Sequence, residues 1–207
     1  MKSAKVGAGV KALEWYSFGN CSKLTDMQIG VNVDSIGKSV FYNCKSLPQI
    51  NIPQATTVIN DSVFYNCSSL VAVVIPDGVT SIGDRAFYGI SSLESITIPD
   101  SIKNIGKYAF DNCSSLKMVD LPKHLEIIGD SAFSNCKSLI TVTLKGSSQT
   151  IIGSHAFAYC TSLTYFETGD NSISVIGDGA FYECTSLQDI IMPTTLKEIG
   201  DNAFYGC

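Results

Sequence analysis

Apolar residues recur along this chain in locked columns. Phenylalanine stands at 18, 41, 64, 87, 110, 133, 157, 181 and 204, at intervals of 23 or 24 residues. Cysteine follows three residues later at 21, 44, 67, 113, 136, 160, 184 and 207, and Ile90 takes the remaining place. Leucine comes three residues after that, at 24, 47, 70, 93, 116, 139, 163 and 187. A fixed period in this range is the signature of a repeat array. One unit reads L-x-x-I-x-I-P-x-x-V-x-x-I-G-D-x-A-F-x-x-C-x-S. Its first part, as in Leu93-Glu94-Ser95-Ile96-Thr97-Ile98-Pro99, alternates with period 2 and predicts a short strand buried on one face. Proline closes the strand because it has no N–H for the ladder. A second apolar pair follows, as in Val79-Thr80-Ser81-Ile82, and ends at a glycine in seven units of nine. That glycine implies either a positive φ or a close backbone approach.

Asp61, Asp84, Asp130, Asp178 and Asp201 come directly after the glycine position. They are expected to cap a short helical turn that carries the Ala-Phe-x-x-Cys segment. Each unit then supplies about eight inward residues, which no unit can bury alone. Stacking coils about 4.8 Å apart sets each Phe on the next Phe and each Leu on the next Leu. The expected fold is a right-handed α/β-type solenoid of nine partial or complete coils. It has short parallel strands, short helical turns and one curved sheet, in a single domain over residues 1–207.

The columns resemble the BspA-like, or TpLRR, class of leucine-rich repeats, from Val10 to Cys207. The resemblance implies a leucine-rich-repeat fold and a surface or secreted protein used in adhesion to host or matrix proteins. Fold alone does not fix function. The chain shows no signal peptide, anchor or terminal caps, and so reads as a segment of a longer array.

Composition narrows the chemistry. Fourteen Lys+Arg against nineteen Asp+Glu give a net charge of −5. With no basic patch, nucleic acid is not an expected partner. No apolar run approaches a membrane-spanning length, so insertion by this segment is not expected. The cysteine column falls into groups of three and five around Ile90, which cannot pair completely between neighbours; buried free thiols are expected. No C-x₂₋₄-C pair suggests zinc. Ile36-Gly37-Lys38-Ser39 lacks the first glycine of a phosphate loop, because position 32 is Asn32. His155 is expected to face solvent and Cys160 the core, and His124 lies in a variable turn. No nucleophile–base pair is therefore assembled, and neither an enzyme nor a cofactor or metal site is expected. The sequons at Asn20, Asn60, Asn66 and Asn112 follow largely from the repeat consensus. Tyr42, Tyr65, Tyr88, Tyr182 and Tyr205 should line one outer surface, partly covering the turns.

The units entered through Leu139 and Leu163 depart from the pattern. They carry Lys145 and Gly169 in place of proline, and Gly146-Ser147-Ser148-Gln149 and Gly169-Asp170-Asn171-Ser172 read as looser polar loops. Outward strand positions two and four beyond each leucine vary, while their buried neighbours scarcely do. A protein-binding surface is expected near these loops, at Met118, Asp120, Thr143, Tyr165, Glu167, Asp189 and Ile191, together with Thr141. The expected function is a non-enzymatic protein-binding or adhesion module, with a host, matrix or cell-surface protein as partner. The alternative is a structural spacer without its own ligand. Uncapped ends also suggest end-to-end self-association.

Overall fold

The computed structural model describes residues 1–144, 146, 149–168 and 172–207. Lys145, Ser147, Ser148, Gly169, Asp170 and Asn171, in the two expected polar loops, lie outside the described residues. The chain is a right-handed β-solenoid of about eight turns. Its strands are β1 (Ser3–Lys5), β2 (Ala12–Leu13), β3 (Asp26–Gln28), β4 (Ser35–Ile36), β5 (Gln49–Asn51) and β6 (Val58–Ile59). Next come β7 (Ala72–Val74), β8 (Ser81–Ile82), β9 (Asn104–Ile105), β10 (Met118–Leu121), β11 (Ile127–Ile128) and β12 (Thr141–Leu144). The chain ends with β13 (Thr150–Ile152), β14 (Tyr165–Thr168), β15 (Ile173–Ile176), β16 (Asp189–Ile190) and β17 (Glu198–Ile199). All pairings are parallel and join equivalent positions of successive coils, as in Val119 beside Val142 and Val142 beside Phe166.

The leucine-led strands form a front sheet and the Ile-Gly strands a second sheet. The second sheet runs without a break from β6 to β17. Between the two lies one core in which Phe41, Phe64, Phe87, Phe110, Phe133, Phe157 and Phe181 are wholly buried. Their rings stack with centroids 5.0–5.7 Å apart along the array. The expected phenylalanine column is thus the axis of the fold.

The expected helical turns are absent: no helix occurs among the described residues. Two residues per coil adopt positive φ, for example Ser62 (56°) and Asn66 (54°), or Ser131 (56°) and Asn135 (57°). A left-handed residue every fourth position cannot continue a right-handed helix. The turn is instead held between coils. Ser62, Phe64 and Asn66 donate their N–H groups to the carbonyls of Asp84, Ala86 and Tyr88 of the next coil, at 2.8 Å each. The intervening Tyr65 and Cys67 amides donate within their own coil, to Ser62 and Phe64.

The aspartates therefore have another role than the expected cap. Asp61 Oδ1 accepts the N–H of Asp84 at 3.0 Å, Asp84 Oδ1 that of Lys107 at 2.8 Å, and Asp178 Oδ1 that of Asp201 at 2.8 Å. They tie one coil to the next. The glycine question is settled in the same place. Gly129 has no positive φ, but a Cβ there would lie 2.7 Å from the backbone of Gly106 and Lys107. Close approach of coils, not left-handed geometry, selects glycine.

The second sheet breaks only between β4 and β6, whereas the front sheet is interrupted more often. It falls into β1–β3, β5–β7 and β10–β12–β14–β16, joined between the last two only by bridges at Val74–Thr97 and Ser95–Met118. The gap between β3 and β5 has a cause in Pro48. At the equivalent position Thr25 donates its N–H to Lys2, Val71 to Pro48, Lys117 to Glu94 and Ile140 to Lys117. Pro48 has no N–H to give to Thr25, so the ladder is lost there.

Candidate functional site

The thiol column is structural. Cys44, Cys67, Cys113, Cys136, Cys160 and Cys184 are buried, and all eight cysteines are free. Each buried Sγ donates to the carbonyl of the phenylalanine one coil earlier, as Cys136 to Phe110 at 3.2 Å and Cys160 to Phe133 at 3.1 Å. Burial pushes the Cys44 and Cys113 thiols up to about 12, because the charged thiolate is disfavoured away from water. Such thiols are poor nucleophiles. His155 is exposed and Cys160 buried, as the repeat register requires, and the two do not form a catalytic pair. Among the described residues no group of three or more His, Cys, Asp or Glu is placed to hold a metal ion.

The outer tyrosines are also accounted for. Tyr42, Tyr65 and Tyr88 stack with centroids 4.6 and 4.7 Å apart and planes 4° from parallel. Each ring face between them is covered by the next ring, so they offer edges and hydroxyls rather than open faces for a ligand to stack on. Arg85 lies 4.7 Å over the Tyr108 ring and continues the same surface.

The front sheet is different, because its outward side chains stand apart. β10 alternates exposed Met118, buried Val119, exposed Asp120 and buried Leu121. The register sets Met118, Thr141, Tyr165 and Asp189 in one row across β10, β12, β14 and β16. Asp120, Thr143 and Glu167 form the row beside it. Of the expected surface residues, Met118, Asp120, Tyr165, Glu167, Asp189 and Ile191 are exposed. Thr143 is corrected: it is only 7% exposed, being in the middle strand with Asp120 and Glu167 on either side. It can contribute little contact area.

Pairing of β14 with β16 stops after Phe166 and Ile190, although β14 runs on to Thr168. Beyond that point the strands part, and Thr168 Oγ1 donates instead to the Ile191 carbonyl at 2.8 Å. A depression of about 460 Å³ opens there, lined by Tyr165, Phe166, Glu167, Thr168, Asp189, Ile190 and Ile191. Phe166 closes its floor from the core side, packed edge-on against Phe157 and Phe181 at 5.2 and 5.0 Å. Tyr165 (47% exposed) and Ile191 (73%) form the rim. A second depression, of about 380 Å³, lies over the Pro48 gap, between Asp26–Gln28 and Gln49–Asn51. The sequence signal for this gap is Pro48 itself, one residue after Leu47 and outside the regular proline column.

Comparison with known proteins agrees with this architecture. The family described as "BspA type Leucine rich repeat region" matches residues 1–117 and 80–207, in six copies. Among solved structures, the leucine-rich-repeat protein TpLRR of T. pallidum is similar at 27% identity and a TM-score of 0.66, over 74% of this chain and 72% of that one. A leucine-rich cell surface protein from Faecalibacterium prausnitzii is 26% identical with a TM-score of 0.53, over all of this chain and 71% of the other. A leucine-rich-repeat protein from Eubacterium ventriosum shares the fold at 19% identity and a TM-score of 0.62, over 100% of this chain and 82% of that one. No curated protein matches the sequence.

Proposed function

Since the chain belongs to the BspA-type leucine-rich-repeat family, we propose that it is a protein-binding module of a cell-surface or secreted adhesion protein, which engages its partner through the C-terminal half of the front sheet. Proteins of this family are typically surface-located or secreted, and their repeats are generally non-enzymatic scaffolds that mediate protein–protein contacts. Among the described residues no helix is long and apolar enough to cross a membrane.

One observation carries the reading. Where β14 and β16 part, an exposed aromatic ring, an exposed branched aliphatic side chain and two carboxylates surround a depression. Interfaces draw their energy from a few such anchors, with tyrosine among the favoured residues, inside a polar rim. The regular remainder of the array holds that patch rigid, so little ordering entropy opposes binding. Met118, in the same row two strands away and exposed, adds an apolar side chain on β10.

The test begins with a pull-down from extracellular-matrix and host-cell extracts, followed by calorimetry with the purified partner. Tyr165→Ala should weaken binding by about 2 kcal/mol, roughly thirtyfold, with an unchanged melting temperature. Tyr65→Ala, on the outer ladder, should leave affinity unaltered. Affinity that depends on Tyr65 and not on Tyr165 would move the site to the outer surface. A chain that captures no partner in any extract would leave the spacer role.

A further inference from the structure

We infer that the depression between β14 and β16 is a receptor for an arginine side chain on an extended segment of the partner protein. The inference rests on the binding face proposed above and names what that face recognises.

The geometry follows from the register. Tyr165 and Asp189 are direct neighbours across the strand pair. Glu167 lies two residues beyond Tyr165 on the same face, and Ile191 two beyond Asp189. Tyr165 and Asp189 stand about 4.8 Å apart across the paired strands, and Glu167 and Ile191 follow where the pairing has ended, so that the four side chains stand at the corners of a quadrilateral around the depression. A carboxylate stands at each end of one diagonal and an apolar or aromatic group at each end of the other. That alternation suits a flat cation. A guanidinium presents five donors in a plane and has weakly hydrated faces; it can stack on a tyrosine ring while its edge bonds carboxylates. An ammonium, a compact and strongly hydrated charge, uses the carboxylates but gains less from the ring.

Charge on the surrounding sheet points the same way. The outward positions Met118, Asp120, Thr141, Thr143, Tyr165, Glu167, Asp189 and Ile191 include three carboxylates and no lysine or arginine. Ion pairs elsewhere do neutralise acidic groups, as Lys117 does Glu94 at 2.8 Å and Lys107 does Asp130 at 2.8 Å. Among the described residues no ion pair holds Glu167 or Asp189. An anionic segment would be repelled from this patch, and an apolar one would leave two carboxylates desolvated without a partner, at a cost that disfavours it.

The depression is also the right kind of opening. Its floor is the strand backbone at Phe166, whose ring is turned into the core and 1% exposed, so an entering side chain finds its apolar contact along the walls, at Tyr165 and Ile191. The three-carbon stem of arginine matches such a path. Ile191 and Tyr165 then screen the contact from water, which strengthens the charge-assisted bonds.

The experiment uses the intact 207-residue chain, isotope-labelled for NMR, and the probe acetyl-Gly-Gly-Arg-Gly-Gly-amide. Counterparts carry Lys, Glu or norleucine in place of Arg. The arginine peptide should shift the amide signals of Tyr165, Glu167, Asp189 and Ile191 saturably and ahead of other acidic sites. Its affinity should exceed that of the lysine peptide by at least threefold. Glu167→Gln combined with Asp189→Asn should reduce it at least tenfold, with the fold confirmed by an unchanged amide spectrum elsewhere. Tyr165→Leu should remove the preference for arginine over lysine while retaining part of the binding.

Equal affinity for the arginine and norleucine peptides, or an arginine affinity untouched by the double substitution, would overturn the inference. Equal affinity for arginine and lysine would overturn the assignment of a guanidinium. A protein partner lost with Tyr165→Ala but retained in full by the Glu167→Gln/Asp189→Asn variant would overturn this inference alone and leave the binding face standing. A partner indifferent to Tyr165 would overturn both.

Discussion

Removal of the Phe110 ring tests the packing on which the whole array depends. Phe110 is wholly buried and stacked between Phe87 and Phe133, with both centroid distances 5.0 Å. Truncating a buried phenylalanine costs about 3–5 kcal/mol, depending on how far the surroundings collapse into the space left. Here they can collapse little. The coil spacing is set by ladder bonds on both sides, Phe87 N to Ala109 O at 2.8 Å and Phe110 N to Ala132 O at 2.7 Å. Phe87 and Phe133 each lose a stacked face as well. Phe110→Ala should therefore fall at the upper end, about 4–5 kcal/mol. For a chain of this size that lowers the melting temperature by roughly 8–20 °C. Phe204, partly buried and stacked only on Phe181 at 5.2 Å, should cost less than half as much. Urea denaturation gives the totals, and hydrogen exchange shows their location. Protection should fall most in the coils of Phe87, Phe110 and Phe133 and recover with distance, since each repeat contacts only its neighbours. Equal losses for Phe110→Ala and Phe204→Ala, or uniform loss of protection along the chain, would refute the reasoning.

Gly129→Ala should destabilise by about 1–3 kcal/mol through overpacking against the Gly106–Lys107 backbone, whereas Gly78→Ala, where nothing lies closer than 3.9 Å, should stay within about 0.5 kcal/mol; urea midpoints decide. Cys113, Cys136 and Cys160 should resist a thiol reagent until the protein unfolds, and reaction in the native state would show the column to be open. Burial raises the Cys113 thiol from 9.0 to about 12, so the unfolded chain ionises first and stability should hold below pH 9 and decline between pH 9 and 12. Cys113→Ala should make that decline shallower, by about 1.4 kcal/mol per pH unit within the window. Pro48→Thr should restore a donor facing Thr25. The new bond, about 0.5–1.5 kcal/mol, is largely offset by the freer unfolded chain, so the midpoint should barely move while amides of β3 and β5 gain exchange protection.

Much of the architecture could be read in the columns because each column is a burial requirement. Phe, Leu and the strand isoleucines recur where a coil must meet its neighbour, and period alone places them. The turn is not legible in the same way, because an aspartate ahead of Ala-Phe-x-x-Cys is compatible with a capped helical turn and no single unit shows the bonds that its amides make to the next coil. The asparagines at 43, 66, 112 and 135 carried the contrary signal, since asparagine accepts left-handed geometry more readily than most residues. The partner of the aspartate after the glycine stands 23 or 24 residues away in the next coil, outside any local cap pattern. At the surface, alternation placed Tyr165, Glu167 and Asp189 outward. It could not foresee that Thr143 would be shielded by its flanking strands, nor that β14 and β16 would part after two residues. Those outcomes depend on neighbouring coils, which a period read along one strand does not contain.

Pro48 has a consequence for a molecule under tension. Pulled along its axis, a stack of coils carries the load through the bonds that join one coil to the next, and the coils peel away in sequence. A joint with its full ladder shares the load across the front sheet, the second sheet and the turn. The joint between β3 and β5 has lost the front share, and β4 and β6 form no ladder either; the turn bonds from Ser39 to Asp61 and Phe41 to Val63 and the Asn60 side-chain bond to the Ile36 carbonyl remain. It is the weakest link of the described array, and it lies far from the Tyr165 patch. Under flow or traction the chain would lengthen there first, like a seam made to give, and leave the coils that present Tyr165 and Glu167 intact.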